Sequence, residues 1–138
     1  MRLFRDSNVG ERHARCLSLW APVVLYMAAI FYMSSLPEPP PIPAGTDKPL
    51  HLSAYFGLTI VVVRAVAGGL PRRIGARTAV AALLIAIGYG VTDEAHQMFV
   101  PGRTADVYDL LSDATGAIAG AAACWAWGIL LPASRDAS

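Results

Sequence analysis

The sequence predicts an all-α fold, an integral membrane four-helix bundle with both termini on the cytoplasmic side. Two charge-free runs, residues 16–37 and 114–134, are each long enough to cross a hydrocarbon core of roughly 30 Å as a helix. Arginines gather before the first run, in the middle of the chain and after the last run, as a cytoplasmic face requires. The 138 residues are 55% hydrophobic and 15% charged, against roughly 25% charged in an average soluble domain.

Residues 1–16 read as a cytoplasmic N-terminal segment carrying Arg2, Arg5, Arg12 and Arg15. The apolar stretch that follows, 17–33, exceeds the 7 to 15 or so residues of a signal-peptide core, so an uncleaved first span is expected. Prolines at 37, 39, 40, 41, 43 and 49 make the next stretch an extended outer loop, and Pro49 suits the first turn of a second span. That span is expected over 49–63, extendable to 70, with Arg64 snorkelling to the cytoplasmic interface. Gly68, Gly69, Pro71 and Gly75 break the chain, and Arg72, Arg73 and Arg77 mark this connection as cytoplasmic. A third span is expected over 78–92, extendable to 100, where Pro101 and Gly102 turn the chain. The fourth run completes a membrane domain over 17–131 and leaves a cytoplasmic tail, 132–138, with Arg135. Trp20, Trp125 and Trp127 fall towards the cytoplasmic side, as an aromatic belt would.

Composition excludes some functions. With 11 Lys and Arg against 10 Asp and Glu there is no basic field to gather nucleic acid. The length leaves room for one compact unit. Cys16 and Cys124 lack paired metal-site spacing and read as buried, inert thiols. Asp93 to His96 spells DEAH, but no phosphate-binding loop accompanies it, and no H-E-x-x-H pair or G-x-S-x-G elbow is present.

The polar chemistry maps to the opposite, outer end. Asp47, Lys48, His51, Tyr55, Asp93, Glu94, Gln97, Arg103, Asp106, Asp109 and Asp113 come from separate segments that only a folded bundle would unite. At about 100° per residue, His51 and Tyr55 share an arc of about 40°, and Asp93, Glu94 and Gln97 one of about 100°. Asp106, Asp109, Asp113, Gly116 and Gly120 fall within about 80°, a stripe that is acidic outside and glycine further in. Gly116 and Gly120 form a small-xxx-small face for helix packing, which could also serve a homo-oligomer. Several carboxylates near low dielectric need cations, a metal ion or retained protons. Plainer roles exist: Asp106 and Asp109 as helix-start residues, with Thr104 or Asp106 as N-cap; Arg103 as their ion-pair partner; His51 and His96 as satisfied core histidines.

The stretch from Asp47-Lys48-Pro49-Leu50-His51 to Tyr55 is followed by Gly90-Val91-Thr92-Asp93-Glu94-Ala95-His96-Gln97 and by Pro101-Gly102-Arg103-Thr104-Ala105-Asp106. With Asp109, Asp113, Gly116, Gly120 and the Ser34-Ser35-Leu36-Pro37 ending of the first span, this order resembles the VanZ-like family over about residues 17–131. The resemblance implies a multi-pass inner-membrane protein of the bacterial cell envelope, in a family named after a component of glycopeptide (teicoplanin) resistance clusters. Relatives often carry Asn at the position of Asp113, and the extra acid here favours a cation or a shared proton.

Three functions fit a one-sided polar cluster. The first is recognition or protection of an envelope lipid or lipid-linked precursor, with Lys48 and Arg103 on phosphate or carboxylate. The second is a membrane enzyme, with Glu94, His51 and Asp109 as candidate catalytic groups and His51, Glu94, Asp106 and Asp109 as candidate ligands for a divalent metal. The third is a small lipid or ion-coupled transporter. No cofactor is predicted beyond that metal option, and the expected partners are membrane lipids.

Overall fold

The structure is a computed structural model that describes residues 3–38, 41, 43, 45–70 and 73–130. Four helices follow in order: α1 (Leu3–Ser34), α2 (Asp47–Val66), α3 (Ala76–Gln97) and α4 (Val107–Leu130), with no strand among the described residues. The segments Val9–Ser34, Asp47–Val66 and Ala76–Gln97 are long and apolar enough to cross a membrane. The fourth expected span differs. Its helix begins at Val107, so Asp109 and Asp113 enter its first turns, while the apolar run to 134 passes beyond the described residues. The expected tail 132–138 with Arg135, along with Arg2, Pro39, Pro40, Pro71 and Arg72, also lies outside them.

Each helix end has a local cause. Helix α1 takes in the arginine-rich leader and continues through Pro22. Proline has no N–H for the carbonyl four residues back, which is Ser18, and the Arg64 guanidinium of α2 donates to that oxygen at 3.1 Å. Arg64 thus repairs a proline defect in α1, a use beyond the expected snorkelling. Arg15 donates to the Gly68 carbonyl at 3.1 Å, so the same ends of α1 and α2 are joined twice. Helix α2 ends at Val66, before Gly68, whose φ of 72° suits glycine, and the N–H groups of Gly68 and Gly69 return to the carbonyls of Ala65 and Arg64. Asp106 caps α4, its Oδ1 accepting the Tyr108 N–H at 2.8 Å.

The closest packing joins α2 and α4. A Cβ at Gly116 would overlap the Leu52 carbonyl, and one at Gly120 would stand 2.6 Å from the Phe56 carbonyl oxygen. The face is therefore filled by α2 and is not open to a second copy. Leu58, Val62, Val63, Ala82, Ala86 and Ala117 form the core between α2, α3 and α4, with Val23 entering from α1. Leu17, Val24, Leu25 and Phe31 of α1 stay exposed, as a lipid-facing helix allows. Cys124 is buried, but Cys16 is exposed because it lies on the outer face of α1, contrary to the expectation from its apolar neighbours.

Candidate functional site

Short helix ends bring the polar residues together at one end of the bundle. Residues 47–55 open α2, residues 93–97 close α3, residues 106–113 open α4 and Ser34 closes α1. Antiparallel neighbours must place these ends side by side, and the side chains interlock in three groups.

The first group is built on Lys48. Its ammonium reaches Asp106 Oδ2 at 2.6 Å and Asp47 Oδ2 at 3.3 Å, and it pairs with Asp109 Oδ1. The Lys48 ammonium, with the Tyr108 N–H behind it, holds the Asp106 carboxyl below the ordinary aspartate range. Lys48 takes the place that the plainer reading gives to Arg103 as the ion-pair partner of Asp106 and Asp109. The cation from α2 is already at the mouth of the acidic stripe, whereas Arg103 follows the Pro101-Gly102 turn and faces elsewhere.

The second group lies one turn deeper. His51 Nδ1 is 2.9 Å from Asp113 Oδ1, and its Nε2 is 3.8 Å from Asp109 Oδ2. With Nδ1–H donating to Asp113, the Nε2 lone pair faces the Asp109 side; a doubly protonated ring pairs with both acids. Glu94 Oε2 accepts the Asp106 backbone N–H at 3.0 Å and Oε1 accepts from Gln97 Nε2 at 3.3 Å. Possible ligand atoms of His51, Glu94 and Asp113 lie within 4.8 Å of one another, as do those of Asp47, His51 and Asp109. Asp106, one of the expected metal ligands, belongs to neither set because Lys48 and the start of α4 engage its oxygens.

The third group surrounds a cavity of about 420 Å³ between α1, α2 and the end of α3. Tyr26, Ile30, Met33, Leu50 and Ala54 give it apolar walls, while Ser34, Asp47, His51, Tyr55, Asp93 and Arg103 supply polar groups. Ser34 Oγ lies 2.6 Å from Asp93 Oδ2 and 3.0 Å from the Ile30 carbonyl, and its single proton serves one of them at a time. Glycine at position 90 lets α3 approach Tyr55 and Asp113 closely: a Cβ there would stand 3.2 Å from Tyr55 Cε1 and 3.3 Å from Asp113 Oδ2. Tyr55 is buried with its ring 6.4 Å from that of Tyr89.

All eleven side chains singled out for binding thus stand at one end of the fold, with Asp47 exposed at its rim. The contribution of α1 was missed. Ser34 holds Asp93, Ser35 Oγ lies 3.0 Å from His96 Nε2, and the Phe31 ring stacks on His96 at 4.4 Å. The adjacent serines at the end of an otherwise apolar run were the available signal. For Tyr26 and Met33 there was none, since a cavity wall and a lipid-facing surface have the same composition.

A family model described as VanZ/LLP1 matches residues 20–131. No curated protein and no solved structure matches the chain.

Proposed function

Because the chain belongs to the VanZ/LLP1 family, with every residue of the polar end inside the matched region 20–131, we propose that this end recognises the anionic head group of an envelope lipid or lipid-linked precursor. The observation that carries this reading is Arg103. Among the described residues no carboxylate pairs with its guanidinium, its Nε is buried without a partner, and it lines a cavity with otherwise largely apolar walls. An unpaired cation beside apolar surface suits a molecule with a phosphate or carboxylate at one end and hydrocarbon at the other. Lys48 plays a different part from the one its charge suggests. Its three carboxylate partners already neutralise it, so it organises the acids and leaves anion binding to Arg103.

In this reading the polar end faces out of the cell and both termini face the cytoplasm. Arg12, Arg15, Arg73 and Arg77 lie towards the opposite ends of these helices, which supports that orientation under the positive-inside rule. Occupying a lipid-linked precursor or its neighbours would give a route to glycopeptide (teicoplanin) protection. The test is complementation in a bacterial host with an envelope or teicoplanin phenotype. Arg103→Ala and Glu94→Ala abolish the phenotype while membrane insertion is retained; parental behaviour of both variants overturns the proposal.

A second reading rests on the clustering of His51, Glu94 and Asp113 within 4.8 Å. These are suitable oxygen and nitrogen donors for a divalent metal, which would supply Lewis-acid chemistry on the same class of substrate. The Asp47, His51 and Asp109 set is less suited, because the Lys48 ammonium pairs with two of its members. Elemental analysis of the purified chain decides this reading. A stoichiometric metal lost in His51→Ala supports it, and a metal-free protein indifferent to chelators removes it.

A further inference from the structure

Among the described residues, four buried side-chain atoms have no hydrogen-bond partner: Tyr55 Oη, Asp93 Oδ1, Arg103 Nε and Asp113 Oδ2. Three of these four belong to residues that line the cavity between α1, α2 and the end of α3. Tyr55 and Asp93 are nearly inaccessible, at 1% and 3% exposure. A buried polar group without a partner costs about 1–3 kcal/mol, and native proteins keep few of them. Their residues share the lining of one cavity, where another molecule can supply the partners the protein does not.

The three atoms differ in what they ask for. Arg103 Nε–H is a cationic donor and calls for an anion. Asp93 Oδ1 is a carboxylate acceptor, which repels an anion and calls for an O–H or N–H donor. Tyr55 Oη both donates and accepts, as a partner hydroxyl does. Ser34 fixes the other carboxylate oxygen at 2.6 Å and so acts as a positioning residue for Asp93. Tyr26, Ile30, Met33 and Leu50 offer apolar contact beside these groups.

We propose that this cavity reads the hydroxyl groups of a polyol phospholipid, with Arg103 on the phosphate, Asp93 and Tyr55 on the hydroxyls, and the apolar wall against the adjoining glyceride carbons. This rests on the anionic head-group reading above and names the head-group chemistry within it. A volume of about 420 Å³ accommodates a phosphoglycerol-sized group with the first carbons of its tails. A head group bearing only the charge would leave Asp93 and Tyr55 as they stand.

The test uses the full chain in detergent and dioctanoyl lipids that differ only in the head group, with binding read by native mass spectrometry. Phosphatidylglycerol and phosphatidylethanol carry the same single charge and the same tails, but only the first has head-group hydroxyls. The expected result is about tenfold tighter binding of phosphatidylglycerol, the size that two added hydrogen bonds give. In Asp93→Ala that ratio falls to about three while phosphatidylethanol binding is retained, and Arg103→Ala weakens both lipids alike. Tyr55→Phe keeps the buried ring, and lowers the ratio by about threefold even if Asp93→Ala fails to fold. Equal affinity of the parent for the two lipids overturns the hydroxyl assignment and leaves anion recognition standing. If neither lipid binds better than phosphatidylcholine, the anionic reading falls as well. Should sn-glycerol 3-phosphate bind as tightly as phosphatidylglycerol, the lipid assignment is overturned in favour of a soluble polyol phosphate.

Discussion

Replacing Gly120 by alanine adds one methyl group at the closest contact between α2 and α4. Its ideal Cβ stands 2.6 Å from the Phe56 carbonyl oxygen, whereas a carbon–oxygen contact settles near 3.3 Å, so the helices must part by about 0.7 Å. Helix backbone cannot turn aside as a long side chain can, and the obstacle here is a carbonyl within a hydrogen-bonded turn. Overpacking of this kind costs about 1–3 kcal/mol, while exchanging glycine for alanine in a helix returns roughly 0.5–1 kcal/mol. The net expectation is a loss of about 1 kcal/mol for Gly120→Ala and about 2 kcal/mol for Gly116→Ala, whose Cβ would overlap the Leu52 backbone. Gly88→Ala is the control, because nothing lies within 4 Å of its Cβ. Thermal unfolding in a mild detergent, followed by circular dichroism, ranks the three variants. Lipid binding then shows whether displacing α4 also displaces Asp109 and Asp113 from His51. If all three variants unfold within about 0.5 kcal/mol of one another, α4 does not rest on α2 in the manner described.

Three other substitutions probe the charged end. Lys48→Met leaves Asp47, Asp106 and Asp109 without their shared cation; the lysine side chain is 40% exposed, so the loss is about 1–3 kcal/mol, less than for a fully buried pair. Adding Asp109→Asn to Lys48→Met restores part of that stability, and strictly additive losses in a double-mutant cycle would refute the pairing. The Asp106 carboxyl is held below its ordinary value of 3.8 by Lys48 and the Tyr108 N–H, so its stabilising contribution is full above that value and is lost as pH falls through the lower folded one. Acid unfolding of Asp106→Asn is therefore shallower than that of the parent below pH 3.8, and superimposable acid limbs would contradict the depressed value. Asp113→Asn keeps a partner for His51 Nδ1 and changes stability little, whereas Asp113→Leu removes it and costs about 1–3 kcal/mol. Equal melting of these last two variants would show that the His51–Asp113 contact does not matter.

Much of this arrangement is legible in sequence because helical geometry is nearly the only variable. Four residues separate His51 from Tyr55, and Asp109 from Asp113, so each pair shares a face wherever its helix goes. Antiparallel neighbours in a bundle then carry these faces to the same end. Partner choice among charges was not legible. Arg103, three residues before Asp106, is the cation that sequence proximity offers Asp106 and Asp109, but Lys48 pairs with them and Arg103 lines the cavity. Two further features stayed hidden for a related reason. The Arg64 bond to Ser18 depends on α1 and α2 lying side by side at Pro22, and the apolar cavity wall is indistinguishable by composition from a surface bathed in lipid.

Asp106 makes three different attachments: its Oδ1 caps α4, its Oδ2 receives Lys48 from α2, and its N–H donates to Glu94 on α3. Displacement of any one of these helices is therefore felt by the other two through a single residue. Helix α1 has no share in that knot, meeting α3 here through Ser34, Ser35 and the stacked Phe31. The wall that α1 supplies is therefore fastened by contacts separate from the ionic lattice behind it.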